Sequence, residues 1–239
     1  MGNDALLRVG DRLGRVIAVL AIAHASCGTA CRRTSMRTTD PRVTIWKIDE
    51  SRKDGSSVIR FHFPPPQDVY AGEVGRVRGE LYLGDDFLLD RSGGWFSVDV
   101  MDVTLGEPDL DENVRNNVEL LSGKRFPTST FRVRSITADQ GRIVPGRRAE
   151  VTLHGDFELK GVTIPLSVSA SLEFAIDSND RSALWMSGSF ALEALRKTFD
   201  IMGPGGGDDV AGDRLHFAFR FTLVRRTDGD SSLLPMPPE

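Results

Sequence analysis

The sequence predicts an all-β protein of antiparallel strands, each with one apolar and one polar face. Three observations carry this. Strand-length runs alternate strictly: Leu215, Phe217, Phe219, Phe221 and Leu223 are large and apolar, while His216, Ala218, Arg220 and Thr222 fall between them. Turn signals separate such runs, as at Lys160-Gly161 and at Pro64-Pro65-Pro66. Helical spacing is found in one segment alone. Because side chains alternate across a strand, each strand has a face to bury. Long antiparallel strands of this kind either stack as a sandwich or close on themselves, which removes exposed edges.

The elements follow in order. "VTIWKI" opens at Val43, and "VIRFHF" runs to the triple proline, which a central strand would not tolerate. "VGRVRGELYL" places Val77, Gly79, Leu81 and Leu83 on one side, and "GWFSVDV" places Phe96, Val98 and Val100 there. "DLDENVRNNVELLSGK" reads as a short helix over about 110–122, with Val114, Val118 and Leu121 at helical spacing, acids in the first turn and Gly123 as its stop. One helix cannot cover a large sheet, so it is expected to plug or lid one end. "STFRVRSI" sets Phe131 and Val133 against Arg132 and Arg134, and "AEVTLHGDFEL" aligns Val151, Leu153, Phe157 and Leu159. After the turn, Val162, Ile164, Leu166 and Val168 continue the pattern, followed by Leu184, Met186, Phe190 and Leu192 in "ALWMSGSFAL".

These strands fill residues 43–226, which leaves distinct ends. Residues 1–26 have the form of an export signal: Arg8, Arg12 and Arg15 precede an apolar run from Val16 to Ala23, and Ala23-His24-Ala25 has small residues where a signal peptidase cuts. The run is shorter than the roughly 20 residues of a membrane-spanning helix. Cys27, after Ala25-Ser26, resembles the acylated cysteine of a bacterial lipoprotein, and acylation there would tether the chain to a membrane. Residues 27–42 read as a polar tether and residues 227–239 as a loose, proline-containing tail. The resulting expectation is the periplasm or cell envelope. The alternative is a cytoplasmic protein starting at Met36.

The inventory of reactive groups is thin. Both cysteines, Cys27 and Cys31, precede the strands, so the domain itself has no disulfide framework and no thiol nucleophile. Of the four histidines, His24 lies in the leader, and His62, His154 and His216 fall on the polar phase of their strands. Histidines at the helical spacing of a zinc site and a G-x-S-x-G elbow are both lacking. "GPGGGDDVAGD" carries Asp208, Asp209 and Asp213 but lacks the spacing of a known ion-binding or phosphate loop, and reads as a flexible connection. The expectation is a non-enzyme with no catalytic residue, no metal and no catalytic cofactor. The net charge of -4 argues against a nucleic-acid partner.

Four stretches, in chain order, match a known pattern. "WKIDE" has Trp46, Ile48 and Asp49 of a W-x-I-D start. "KRFPTSTF" has Phe126, Pro127 and Phe131 of K-Y-P-x-I-x-F, and "GDFELKGVTIPLSV" has Gly155, Leu159, Gly161, Val162, Thr163 and Pro165 of G-x-L-T-L-x-G-V-T-x-P-V. "LRKTFDIMGP" has Arg196, Phe199 and Ile201 of N-R-x-D-F-G-I. Together they resemble the YceI-like family of polyisoprenoid-binding proteins. Two departures stand out: "DESRKDGSSVIRF" lacks the family's early His-Ser, and Asp200 replaces a glycine.

The resemblance implies an extended, lipocalin-like barrel of eight antiparallel strands with an isoprenoid threaded along its interior. The ligand would be a quinone or polyprenyl lipid, or another long-chain apolar lipid, carried or sequestered in the envelope. Phe131, Val133, Leu153, Phe157, Phe190, Phe217 and Phe219 are the expected tunnel wall, and Arg196 the expected contact to the head group. A filled barrel that acts through its surface, as a structural or stress-related protein, needs the same alternation and stands as the alternative. The oligomeric state, a dimer included, stays open.

Overall fold

The computed structural model describes residues 43–50, 57–176, 182–204 and 212–226. The leader, Cys27, the tether, the C-terminal tail and Asp208-Asp209 lie outside them. The strands are β1 (Val43–Ile48), β2 (Val58–His62), β3 (Ala71–Val74), β4 (Val77–Gly84), β5 (Gly93–Asp99), β6 (Val103–Thr104), β7 (Thr128–Thr137), β8 (Arg148–Leu159), β9 (Val162–Ile176), β10 (Ser182–Glu193) and β11 (Arg214–Arg225). Two helices interrupt them, α1 (Pro108–Asn116) and α2 (Leu195–Phe199). Among the described residues no helix is long and apolar enough to cross a membrane.

Eight strands close a ring in the order β1, β4, β5, β7, β8, β9, β10, β11, with β11 pairing back to β1, all antiparallel. The expected barrel is therefore the observed one. The β8–β9 hairpin shows how sequence sets its register: Lys160 and Gly161 both have positive φ, 52° and 75°. That is the turn whose twist matches its flanking strands, and it sets Leu159 opposite Val162 and Phe157 opposite Ile164.

The two ends of the barrel differ. At one end β1 lies on β11, from Trp46 opposite Arg225 to Ile48 opposite Leu223. At the other end β2 takes the same edge of β11, with His62 opposite His216, and β3 and β6 add to β2 in turn. "VTIWKI" and "VIRFHF" are thus two halves of one interrupted wall strand, and the wall is built out by short strands beyond the break.

The β1 end is solidly packed. Trp46, Leu81, Leu83, Leu172, Leu184 and Leu223 are almost fully shielded from solvent within one cluster. Each such side chain contributes roughly 1.5–3 kcal/mol by leaving water. Glycines let aromatic rings lie flat against this wall. Gly188 is paired with Phe219 and Gly79 with Phe96, and a Cβ on either glycine would come within 2.6 Å of the facing ring.

The helices depart from the sequence expectation in two ways. α1 stops at Asn116 rather than near residue 122, because Asn117 turns to ψ 131° and its side-chain oxygen accepts the Glu119 amide. A local asparagine turn competes with the helix there, and Val118 is swung outward, 71% exposed. The second helix, α2, was not expected. It is five residues long and flanked by left-handed residues Ala194 and Asp200, too short to show a helical period.

Candidate functional site

The β2 end of the barrel is hollow. A cavity of about 480 Å³ opens there, and a smaller void of about 70 Å³ lies beneath it; both touch Ile59, Val98, Ser129, Phe157 and Phe190. Its wall is aromatic. Phe190 and Phe217 are paired across β10 and β11, Phe61 lies against Phe217, and Phe157 meets Phe190 and Phe199 edge-on. Beneath the small void lie Phe96, Phe219 and Phe221, with rings stacked 5.2 Å and 5.0 Å from Phe221.

The roof comes from outside the barrel. α1 presents Leu110 and Val114, the chain after it presents Leu120 and Leu121, and the segment after α2 presents Ile201 to Pro204. Several ties hold these pieces, among them an Arg115 Nε–H that donates to the Val103 carbonyl at 2.6 Å. The Met202 amide donates to the Glu119 carbonyl at 2.8 Å, which joins the two roof segments. Lys160, at the β8–β9 turn, donates from Nζ to the Asp200 carbonyl. Asp111 of α1 accepts from the Thr104 hydroxyl at 2.6 Å and the Leu105 amide at 2.5 Å, and faces Arg115 at 3.5 Å. The Thr104 hydroxyl, the Leu105 amide and the Arg115 charge hold the Asp111 carboxyl below the usual carboxylate range.

The Lys160 tie falls at one departure from the family pattern, and its backbone hydrogen bond does not depend on the side chain there. Asp200 has φ 53°, in the left-handed region where glycine is favoured and aspartate is among the tolerated alternatives. Its carbonyl is met by a lysine whose side chain is 8% exposed.

Polar groups at the cavity are few: Asn113, Asn117 and Glu119 at the roof, Tyr70 in the β2–β3 connection, and Ser129 in the wall. Ser129 donates to the Glu158 carbonyl, and Asn117 donates to Asn113. Among the described lining residues there is no lysine, arginine or histidine. Among the described residues no three histidine, cysteine or acidic side chains cluster as metal ligands would.

The structure distributes the sequence-derived site residues. Phe157 and Phe190 line both spaces, Phe217 lines the upper cavity, and Phe131, Leu153 and Phe219 line the lower void. Val133 lies in neither and is 5% exposed in the packed cluster. Arg196 is exposed on α2, its amide donating to Asp213 at 2.7 Å, and it does not line the cavity. Sequence reasoning did not assign Ile59 and Phe61 of β2, or Leu110, Leu120 and Ile201 of the roof, to the site, although Ile201 stood in a matched motif. Phe61 already alternated with His62, but nothing in that alternation showed which end of the barrel it would face.

A closed antiparallel barrel with an aromatic internal pocket under a helical roof is the architecture of a small-molecule-holding barrel. Comparison with known proteins narrows it. The model of the YceI-like domain matches residues 46–223, so the chain belongs to the YceI-like family. Among solved structures it is similar to BcnA of Burkholderia cenocepacia, with TM-score 0.54 and 14% identity, covering 70% of this chain and 95% of that one. The Campylobacter jejuni YceI protein gives 0.53 and 11%, with 66% and 85% covered. A polyisoprenoid-binding domain from Saccharophagus degradans gives 0.51 and 9%, with 78% and 99% covered. At these identities the likeness concerns the fold. No curated protein matches the sequence.

Proposed function

We propose that this protein binds an isoprenoid lipid, of quinone or polyprenyl type, in its hollow end, and carries or sequesters it without chemical change. One observation carries the reading: an open-mouthed internal space of about 480 Å³ walled by phenylalanine and aliphatic side chains, with its polar groups gathered chiefly at the roof. A pocket of this size is in the range that holds small ligands. Each methylene moved from water into it contributes about 0.8 kcal/mol, so a branched hydrocarbon tail binds without a hydrogen bond. The family, and the polyisoprenoid-binding domain that shares the fold, support an isoprenoid over other apolar molecules. The lipid is cargo rather than a catalytic cofactor.

The head group falls to Asn113, Asn117 and Glu119 rather than to Arg196. These are donors and acceptors without a nearby lining cation, which suits an uncharged oxygen-bearing head. The proposal includes the cell envelope as the location, with Cys27 as a membrane anchor, on the strength of the sequence before residue 43. Labelling with a radioactive fatty acid, in cells making the wild type or Cys27→Ala, tests the anchor.

The test of function is organic extraction and mass spectrometry of the full-length protein purified from a bacterium rich in quinones and polyprenols. An isoprenoid at near one per protein is expected. A folded protein that is lipid-free, and that takes up no prenyl lipid on incubation, would overturn the proposal.

A further inference from the structure

The interior changes character halfway down, which bears on how long a lipid tail it can hold. Above Phe96, Phe219 and Phe221 there is open space; beyond them the barrel is filled by Leu81, Leu172 and Leu184, each 0% exposed. The three rings form a continuous stack across β5 and β11, and Met186 of β10 lies with them at the bottom of the small void. They are held there by the wall itself: Phe219 lies on Gly188 and Phe96 on Gly79.

A packed lipid atom takes up about the 30 Å³ of a water molecule, so the cavity holds on the order of 15–20 heavy atoms. That corresponds to three or four isoprene units. A tail of eight to ten units would leave half or more of its length outside. From this we infer that the Phe96–Phe219–Phe221 floor, with Met186, is a chain-length stop, and that the pocket selects short isoprenoids. The inference rests on the lipid-binding reading above and sharpens its ligand class.

Competition decides it. Full-length protein, stripped of lipid, is offered equimolar farnesol, geranylgeraniol and solanesol, with three, four and nine units, and the retained prenol is read by native mass spectrometry. Displacement of the fluorescent probe N-phenyl-1-naphthylamine gives the individual affinities. Farnesol or geranylgeraniol is expected to be retained, with no gain in affinity from geranylgeraniol to solanesol. Phe221→Ala removes the centre of the floor and frees about the room of one isoprene unit before the packed leucines, so geranylgeraniol should gain at least tenfold relative to farnesol. Met186→Ala, a smaller change to the core, gives the same readout if Phe221→Ala does not fold. A wild-type preference for solanesol of tenfold or more, or a folded floor variant with unchanged length preference, would overturn the length stop and leave lipid binding standing. If no prenol displaces the probe, both readings fall together.

Discussion

Phe190 and Phe217 lie face to face across β10 and β11, ring centroids 4.7 Å apart and planes 6° from parallel, and both rings line the cavity. Phe221, two register steps further along β11 from Phe219, is instead 4% exposed in the floor. The same residue type on one strand therefore meets two environments, and truncation should tell them apart. Phe221→Ala is expected to cost about 3–5 kcal/mol, as for a buried aromatic. Phe217→Ala already faces open space and should cost about half as much or less. Urea denaturation of the two variants measures the difference; equal losses would mean the hollow end is packed in solution.

One carboxylate, Asp111, ties the α1 part of the roof to the segment before it. Removing the Asp111 acceptor leaves the Thr104 hydroxyl and Leu105 amide without their partner, at about 1–3 kcal/mol. Its depressed pKa fixes the sign of the pH effect. The stabilisation is fully present above the unfolded value, about 3.9, and is lost as pH falls through the lower folded value. Acid titration of thermal stability should show a component in the wild type that Asp111→Asn lacks. Hydrogen exchange should place the loss in α1 rather than in the barrel strands.

Asp200 and Lys160 form a second tie, with opposite expectations for each partner. Asp200→Gly relieves a left-handed residue while keeping the carbonyl that Lys160 meets, so stability should hold or rise by up to about 1 kcal/mol. Lys160→Met should cost about 1 kcal/mol and speed ligand release, because the segment after α2 loses its hold on the β8–β9 turn. Thermal melts and a dissociation time course check both.

Arg196 gives a negative expectation. Since its side chain is exposed on α2 and does not line the cavity, Arg196→Ala should leave prenol affinity unchanged. Asn117→Ala, at the roof, should weaken it. Probe displacement on both variants is sufficient, and the reverse order would return the head group to α2.

Gly188→Ala should be among the more damaging small changes. The added methyl would meet the Phe219 ring and the β9 backbone at Ala170 and Ser169. Overpacking of this kind costs about 1–3 kcal/mol, and here it also drives the floor ring towards the cavity. A lowered melting temperature together with weaker geranylgeraniol binding is the expected pair of results.

The sequence carried the walls further than the ends. Strand phase is a local property, so the faces of β8, β9 and β11 and the turn at Lys160-Gly161 could be read directly. Whether an inward residue meets neighbours or space depends on what stands across the barrel, so Val133 and Phe157, alike in pattern, end in different halves. The break between β1 and β2 hides in the same way, since both halves alternate normally and only their common partner β11 shows that they are one wall. The roof was legible as a single amphipathic segment, but its end was not, because the turn at Asn117 outcompetes a helical pattern that continues through Val118 and Leu121.

For the lipid binding proposed above, the solid half of the barrel has a consequence for exchange. Most of the large, fully shielded side chains lie where no ligand reaches, so the empty and loaded proteins share one foundation. Loading then resembles filling a cup set on a plinth: the contents change while the base stands still. On the proposed function, exchange of the lipid would leave that base in place and would not require the chain to pass through a partly melted state.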